Sequence, residues 1–223
     1  MVLVMHAQPD RHAAFESQRQ RLEERKAGSP RYESVCGTEF LVLPGVYDTS
    51  VDTELMAESV VISATDRFLE IGCGCGAVSL LLAPRCAGGV ATDINPLAVR
   101  NAEANAERLG VRSVGFVRGD GYAGVMEKFD VLLCNPPYSD NPVRDEIERM
   151  FWDPSDHLKR MFFEGARAHL LPGGRVYFGW ADFADIDADL PLRLAEQNGF
   201  SLRRTHERRS RSGRHQFLVL EFA

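Results

Sequence analysis

From Arg67 onward, short apolar runs alternate with amphipathic stretches along the chain. The pattern predicts strands over 67–71, 89–93, 113–118, 129–134 and 174–180, and helices over 77–83, 96–109, 155–171 and 186–198. Such alternation implies parallel strands joined by crossover helices, hence an α/β doubly wound sheet with helices on both faces. Two further strand-like runs, 200–208 and 214–222, are separated only by Arg209-Ser-Arg-Ser-Gly213 and should pair as an antiparallel hairpin. The expectation is a seven-stranded, mostly parallel sheet with one reversed strand.

Upstream, Arg11 to Lys26 is charged and helical, with a thin apolar stripe of Ala13, Ala14, Phe15 and Leu22, and it ends at Gly28-Ser-Pro30. Tyr32–Cys36 and Glu39–Leu43 flank a glycine turn and read as a β-hairpin, closed by Pro44-Gly45. Residues 52–61 again read as helix. The chain thus divides into an N-terminal helical extension (1–30), a hairpin and linker (31–50) and a catalytic domain (51–223). With 223 residues, 44% of them hydrophobic, there is material for one sizeable core. No run approaches the ~20 apolar residues of a membrane helix, and Met1–His6 is too short for a signal-peptide core, so the expected location is cytoplasmic. Five cysteines without a Cys-x-x-Cys pair predict reduced thiols and no metal site. A net charge of −6 argues against a protein that coats nucleic acid, since that affinity comes from phosphate neutralisation.

Phe68-Leu-Glu-Ile-Gly-Cys-Gly-Cys-Gly76 is an apolar strand running into a glycine loop. Gly72, Gly74 and Gly76 let the backbone turn tightly and approach a ligand, while the first amides of the next helix face its electronegative atoms. The following strand ends at Asp93-Ile94, twenty-one residues past Gly72, where a carboxylate can accept two ribose hydroxyls. Asn95-Pro96 behind it is a helix start, so capping is the alternative role of Asp93. Asp120-Gly121 closes the third strand, where a carboxylate can accept an adenine amine. Glu70 is read as ordering the loop or meeting the positive end of a methionine moiety. Gly72-x-Gly74-x-x-Ala77 also fits a dinucleotide fingerprint, which keeps a nicotinamide-dependent oxidoreductase as an alternative.

The discriminating motif is Asn135-Pro136-Pro137-Tyr138, at the end of the apolar strand Phe129–Cys134. Two prolines fix φ and remove two donors, leaving a stiff bend that presents carbonyl oxygens and a side-chain amide. A planar NH2 group can donate to the Asn135 side-chain oxygen and to the Pro136 carbonyl, which favours charge developing on its nitrogen. Tyr138 offers a ring to a planar or cationic group. The combined reading is methyl transfer from S-adenosylmethionine to a nitrogen, with no dedicated base.

These motifs resemble those of class I S-adenosylmethionine-dependent methyltransferases of the Asn-Pro-Pro-Tyr type, which methylate glutamine side chains or adenine and guanine. Gly37-Thr-Glu-Phe40, Pro44-Gly45-Val46 and Asp52-Thr53-Glu54-Leu55 are similar to the segment preceding the catalytic domain of the HemK/PrmC release-factor glutamine methyltransferases. The resemblance implies a Rossmann-like methyltransferase fold, Asn135 and Pro136 as the amide clamp, Pro137 and Tyr138 in the pocket, Asp93 and Asp120 on the cofactor, and Asp52 and Thr53 near it. The family's arginine and prolines before its Glu-Thr-Glu are replaced here by Asp48-Thr49-Ser50-Val51, its Gly-Gly-x-Asp-Gly by Asp153-Pro-Ser-Asp-His157, and its N-terminal helical domain by about thirty residues. The implied acceptor is a protein glutamine. A small metabolite, or a base in RNA or DNA, is the less favoured alternative, and oligomeric state has no signature in the chain.

Other clusters have plainer readings. Arg203, Arg204, Arg208, Arg209, Arg211 and Arg214 suit a solvated sheet edge more than a contact with nucleic acid or an acidic protein. Asp182, Asp185, Asp187 and Asp189 suit a helix start more than a metal. Phe151-Trp152 either walls a substrate pocket or covers core.

Overall fold

The central β-strands order as β5-β4-β3-β6-β7-β9-β8 in one seven-stranded sheet. The computed structural model describes residues 11–183 and 187–223. Asp185, the start of the chain and the side chains of Ala13 and Ala14 therefore lie outside the described residues. Strands β3 (Arg67–Ile71), β4 (Gly88–Asp93), β5 (Val114–Arg118), β6 (Phe129–Cys134) and β7 (Leu170–Ala181) run parallel. β9 (Gln216–Phe222) is the single reversed strand, antiparallel to β7 and to β8 (Leu202–Arg209). The chain leaves β3 in one direction for β4 and β5, then returns to β6 on the other side, so the switch point lies between β3 and β6. Ligands of such sheets bind above that point.

β6 is buried on both faces. Leu132 and Cys134 join the core under α5 (His157–His169) and α6 (Leu190–Gln197), while Val131 and Leu133 join the core under α2 (Val51–Ser59) and α3 (Ala77–Leu82). That alternation is the period of two expected of a strand with helices above and below. α4 (Pro96–Leu109) has the boundaries its sequence predicts, with the Asn95 side chain capping Leu97 N and Gly110 left-handed at the end. The hairpin β1 (Arg31–Val35) and β2 (Thr38–Val42) lies on α4, whose Asn101 and Asn105 both bond to the Leu41 backbone.

Several boundaries differ from the pattern. β7 begins at Leu170, because Leu170 pairs with Phe129 before the strand continues past the glycines. α5 starts at His157, since Ser155 and Asp156 have positive φ and break the helix. α6 is shorter than expected, starting at Leu190 after Asp189. The N-terminal helix α1 (Arg11–Ala27) lies on the body. Leu22 is buried with Phe151 and Trp152, Phe15 stacks on Trp152 at 5.2 Å, and Lys26 binds Asp145 and Glu148. Among the described residues, no helix is long and apolar enough to cross a membrane. All five cysteines are free.

Candidate active site

Register decides where the two motifs meet. Ile71 of β3 pairs with Cys134 of β6, so the next residues, Gly72 and Asn135, leave neighbouring strands side by side, about 5 Å apart. Both line one cavity of about 210 Å³ above the switch point, together with Asp52, Thr53, Glu70, Gly74, Asp93, Ile94, Asp120, Gly121, Pro136, Pro137 and Tyr138.

On the cofactor side, main-chain bonds set the shape. Gly72 N and Cys73 N both donate to Thr92 O, and Gly74 N donates to Asp93 Oδ2 at 2.9 Å. Gly72 and Gly74 have φ of 80° and 55°, and a Cβ built on either meets nothing within 4 Å, because the space above them is the cavity itself. That open cradle is what a ligand of the loop requires. Gly76 differs from its expected role. It does not line the cavity, and a Cβ there would stand 2.9 Å from the Ala102 Cβ, so this glycine permits close packing of α3 on α4. Asp93 takes part in the helix start, its Oδ1 accepting Asn95 N, and its carboxylate also lines the cavity. Burial pushes its pKa up to about 6, against the lowering effect of the Asn95 and Gly74 amides.

Glu70 ties the end of β3 to the first turn of α3. It is buried and accepts Ser79 N and Ser79 Oγ at the first turn of α3. Burial raises its pKa to about 8 despite those bonds. Asp120 meets a partner the sequence did not disclose, His157 Nε2 at 2.9 Å, brought there by the start of α5. Gly121 takes the Thr92 hydroxyl on its carbonyl and leaves no room for a Cβ beside Met161.

On the chemical side, side chains from distant segments hold the tip. Asn135 Nδ2 donates to Asp52 Oδ2 at 2.9 Å, and the Tyr138 hydroxyl lies 2.8 Å from Asn135 Oδ1 and 3.0 Å from Asp52 Oδ2. A carboxylate only accepts, so Asp52 turns the amide NH2 toward itself and fixes which face presents the oxygen. Asp52 is placed by the start of α2, where Ser50 and Thr53 form a capping box. Tyr138 is only 8% exposed, its ring enclosed by Trp180, Phe183 and Phe217, so it serves Asn135 through its hydroxyl more than as an open stacking face. Burial and Asp52 push its pKa well up, keeping it a donor. Gly179 on β7 is a residue the sequence reading missed. A Cβ there would overlap Asn135 Oδ1, so only glycine leaves the clamp its place. Its signal was a lone glycine inside an apolar strand, which marks close approach of another group.

The outer wall comes from α1 and from Phe151-Trp152, which both cover core and line the cavity. Trp152 Nε1 donates to Gln18 Oε1 at 2.9 Å, and Asp48 is ion-paired with Arg25. A parallel bridge between Ser139 and Trp152, with the Asp153 amide on Ser139 O and the buried Lys159 on Asp153, ties down the loop after Tyr138. Seven acidic side chains line the cavity against two arginines, and with Glu70 protonated near neutral pH the balance is still negative, a lining suited to a sulfonium and an ammonium and poorly suited to the pyrophosphate of a dinucleotide. Elsewhere, Arg208 and Arg211 of the last hairpin bind Glu54 and Glu58 of α2, and Asp187 binds Arg193.

Comparison with known proteins fits this geometry. Residues 37–196 match the family model described as Methyltransferase small domain. A release factor glutamine methyltransferase of Bordetella pertussis is 32% identical, covering 92% of this chain and 82% of that protein. One of Cereibacter sphaeroides is 37% identical over 63% of this chain, which spans 55% of that relative's length. Among solved structures, Trm5b from Pyrococcus abyssi superposes with a TM-score of 0.64 at 19% identity over 88% of this chain and 56% of its own, a likeness of fold alone. The nicotinamide alternative falls with these matches, and the chain belongs to the methyltransferase small-domain family, as an S-adenosylmethionine-dependent methyltransferase related to the release factor glutamine enzymes.

Proposed function

We propose that the protein methylates the side-chain amide nitrogen of glutamine in a protein acceptor. One observation carries this reading: the Asn135 carboxamide is locked by Asp52 and Tyr138 immediately beside the glycine loop, in the same cavity. The activity of the release factor glutamine methyltransferases that the chain resembles makes a release factor the first acceptor to try.

When bound, S-adenosylmethionine supplies an electrophilic methyl carbon on a sulfonium that leaves as a neutral thioether. The open space at Gly72 and Gly74 would hold its amino-acid portion, Asp93 its ribose hydroxyls and Asp120 its adenine amine. Asn135 Oδ1 and the Pro136 carbonyl accept the two N–H bonds of the acceptor amide. An amide lone pair is delocalised, and two fixed acceptors on its hydrogens stabilise the positive charge that grows as it is withdrawn from resonance, until the methylated nitrogen loses one of its two N–H protons to water. Tyr138 and Asp52 act by keeping those oxygens from rotating away, and orientation supplies the rest.

The test is transfer of labelled methyl from S-adenosylmethionine to candidate acceptors, followed by hydrolysis and identification of the methylated residue. N5-methylglutamine is expected, with Asn135→Ala losing about 100-fold to 1000-fold in kcat while S-adenosylhomocysteine still binds. Label found in RNA or in a metabolite, or undiminished transfer by the variant, would overturn the glutamine reading or the clamp respectively.

A further inference from the structure

Against its seven carboxylates, the cavity wall carries two cations, Arg21 on α1 and Arg149 on the short helical turn before Phe151. Neither has a part in the chemistry above. Arg21 holds its guanidinium over the Phe151 ring at 5.5 Å. Its nearest carboxylate oxygen, Asp48 Oδ2, is 3.7 Å away and already bonded to Arg25, and the Arg21 side chain stays 48% exposed. Asp48 thus pairs with Arg25 at hydrogen-bond range and with Arg21 at 3.7 Å, and among the described residues the Arg21 guanidinium on the cavity wall has no hydrogen-bond acceptor. Among the described residues, Arg149 has no ion pair or hydrogen bond, although it is half-buried. An unpaired guanidinium in such a wall is a ready fork for a carboxylate.

The wall is firmly built. Gln18 is bonded to Trp152, Leu22 is buried beneath it, and Gly45 N donates to Arg25 O. The segment of α1 that carries Arg21 is thus held beside the cavity. An acidic cavity attracts a cation, yet an amino-acid moiety also carries a carboxylate, which these carboxylates would repel unless the two arginines received it.

We infer that Arg21 and Arg149 form a carboxylate-binding subsite on the α1 wall, taking the carboxylate of an amino-acid group, in the first place that at the methionine end of the cofactor. The other source of the same chemistry is a carboxylate on the acceptor, and only that arm rests on the glutamine reading.

Calorimetry separates the two with ligands that differ in one group. S-adenosylhomocysteine carries the amino-carboxylate, and 5′-methylthioadenosine lacks it. In Arg21→Gln and, separately, Arg149→Gln, affinity for S-adenosylhomocysteine should fall about tenfold or more, with that for 5′-methylthioadenosine unchanged. Arg21→Lys should lose less. Arg21 is half-exposed, so the thermal midpoint without ligand should stay put and serve as the folding control. If S-adenosylhomocysteine binding is intact, the acceptor arm predicts that protein saturated with it prefers a glutamine peptide with aspartate beside the glutamine to the same peptide with asparagine there, and that the variants abolish the preference. Parallel loss of both nucleosides, or no change in either arm, overturns the subsite. Wild-type protein that binds neither nucleoside would overturn the cofactor reading itself, before any variant is made.

Discussion

The two halves of the cavity are built by different means. The cofactor half is made by neighbours in sequence. Gly72, Cys73 and Gly74 are anchored by amides to Thr92 and Asp93, and Glu70 bonds Ser79 nine residues on. The acceptor half is assembled from α2, β6 and β7, with Asp52 reaching Asn135 across 83 residues and Gly179 clearing space from the adjacent strand. A glycine loop tolerates its surroundings because backbone geometry defines it. The clamp is only as good as the contacts that orient one amide.

If that contrast holds, mutations in the acceptor half should cost turnover and leave nucleoside binding alone. Gly179→Ala should be the most damaging away from Asn135 itself, because displacing Oδ1 by even an ångström misaligns the acceptor. About 100-fold loss of kcat is expected, with S-adenosylhomocysteine affinity retained in calorimetry. Asp52→Ala should cost roughly tenfold in kcat by leaving Nδ2 without its acceptor. Equal losses in nucleoside affinity for both variants would erase the distinction.

The cofactor half should show itself in pH. Asp93 in the free protein ionises near pH 6, and its ionised form is the better acceptor for ribose hydroxyls. Nucleoside affinity should therefore weaken as pH falls through 6, by roughly tenfold between pH 7 and pH 5, and an isothermal titration series that stays flat would remove Asp93 from the site. The smallest effect concerns stability. Glu70 has a folded pKa of about 8 against an ordinary 4.5, so the folded state holds the proton more tightly than the unfolded one. Its stabilising contribution is complete below about 4.5 and is lost as pH rises through about 8. Glu70→Gln should flatten this dependence, so its urea midpoint should gain on that of the wild type from pH 5 to pH 9.

The sequence alone determined the α/β class, the single reversed strand, the helix from Pro96 to Leu109 and the strand ends that carry Glu70, Asp93, Asp120 and Asn135. Those features are legible because period, caps and glycine turns are local properties of the chain. Tertiary structure alone decided that Gly76 serves packing, that His157 meets Asp120, that Tyr138 works through its hydroxyl, and that α1 carries Arg21 to the cavity wall. Each of these depends on which residue of one element faces which residue of another. Strand register and helix docking set that facing, and both are determined by the burial of the whole core rather than by any segment within it.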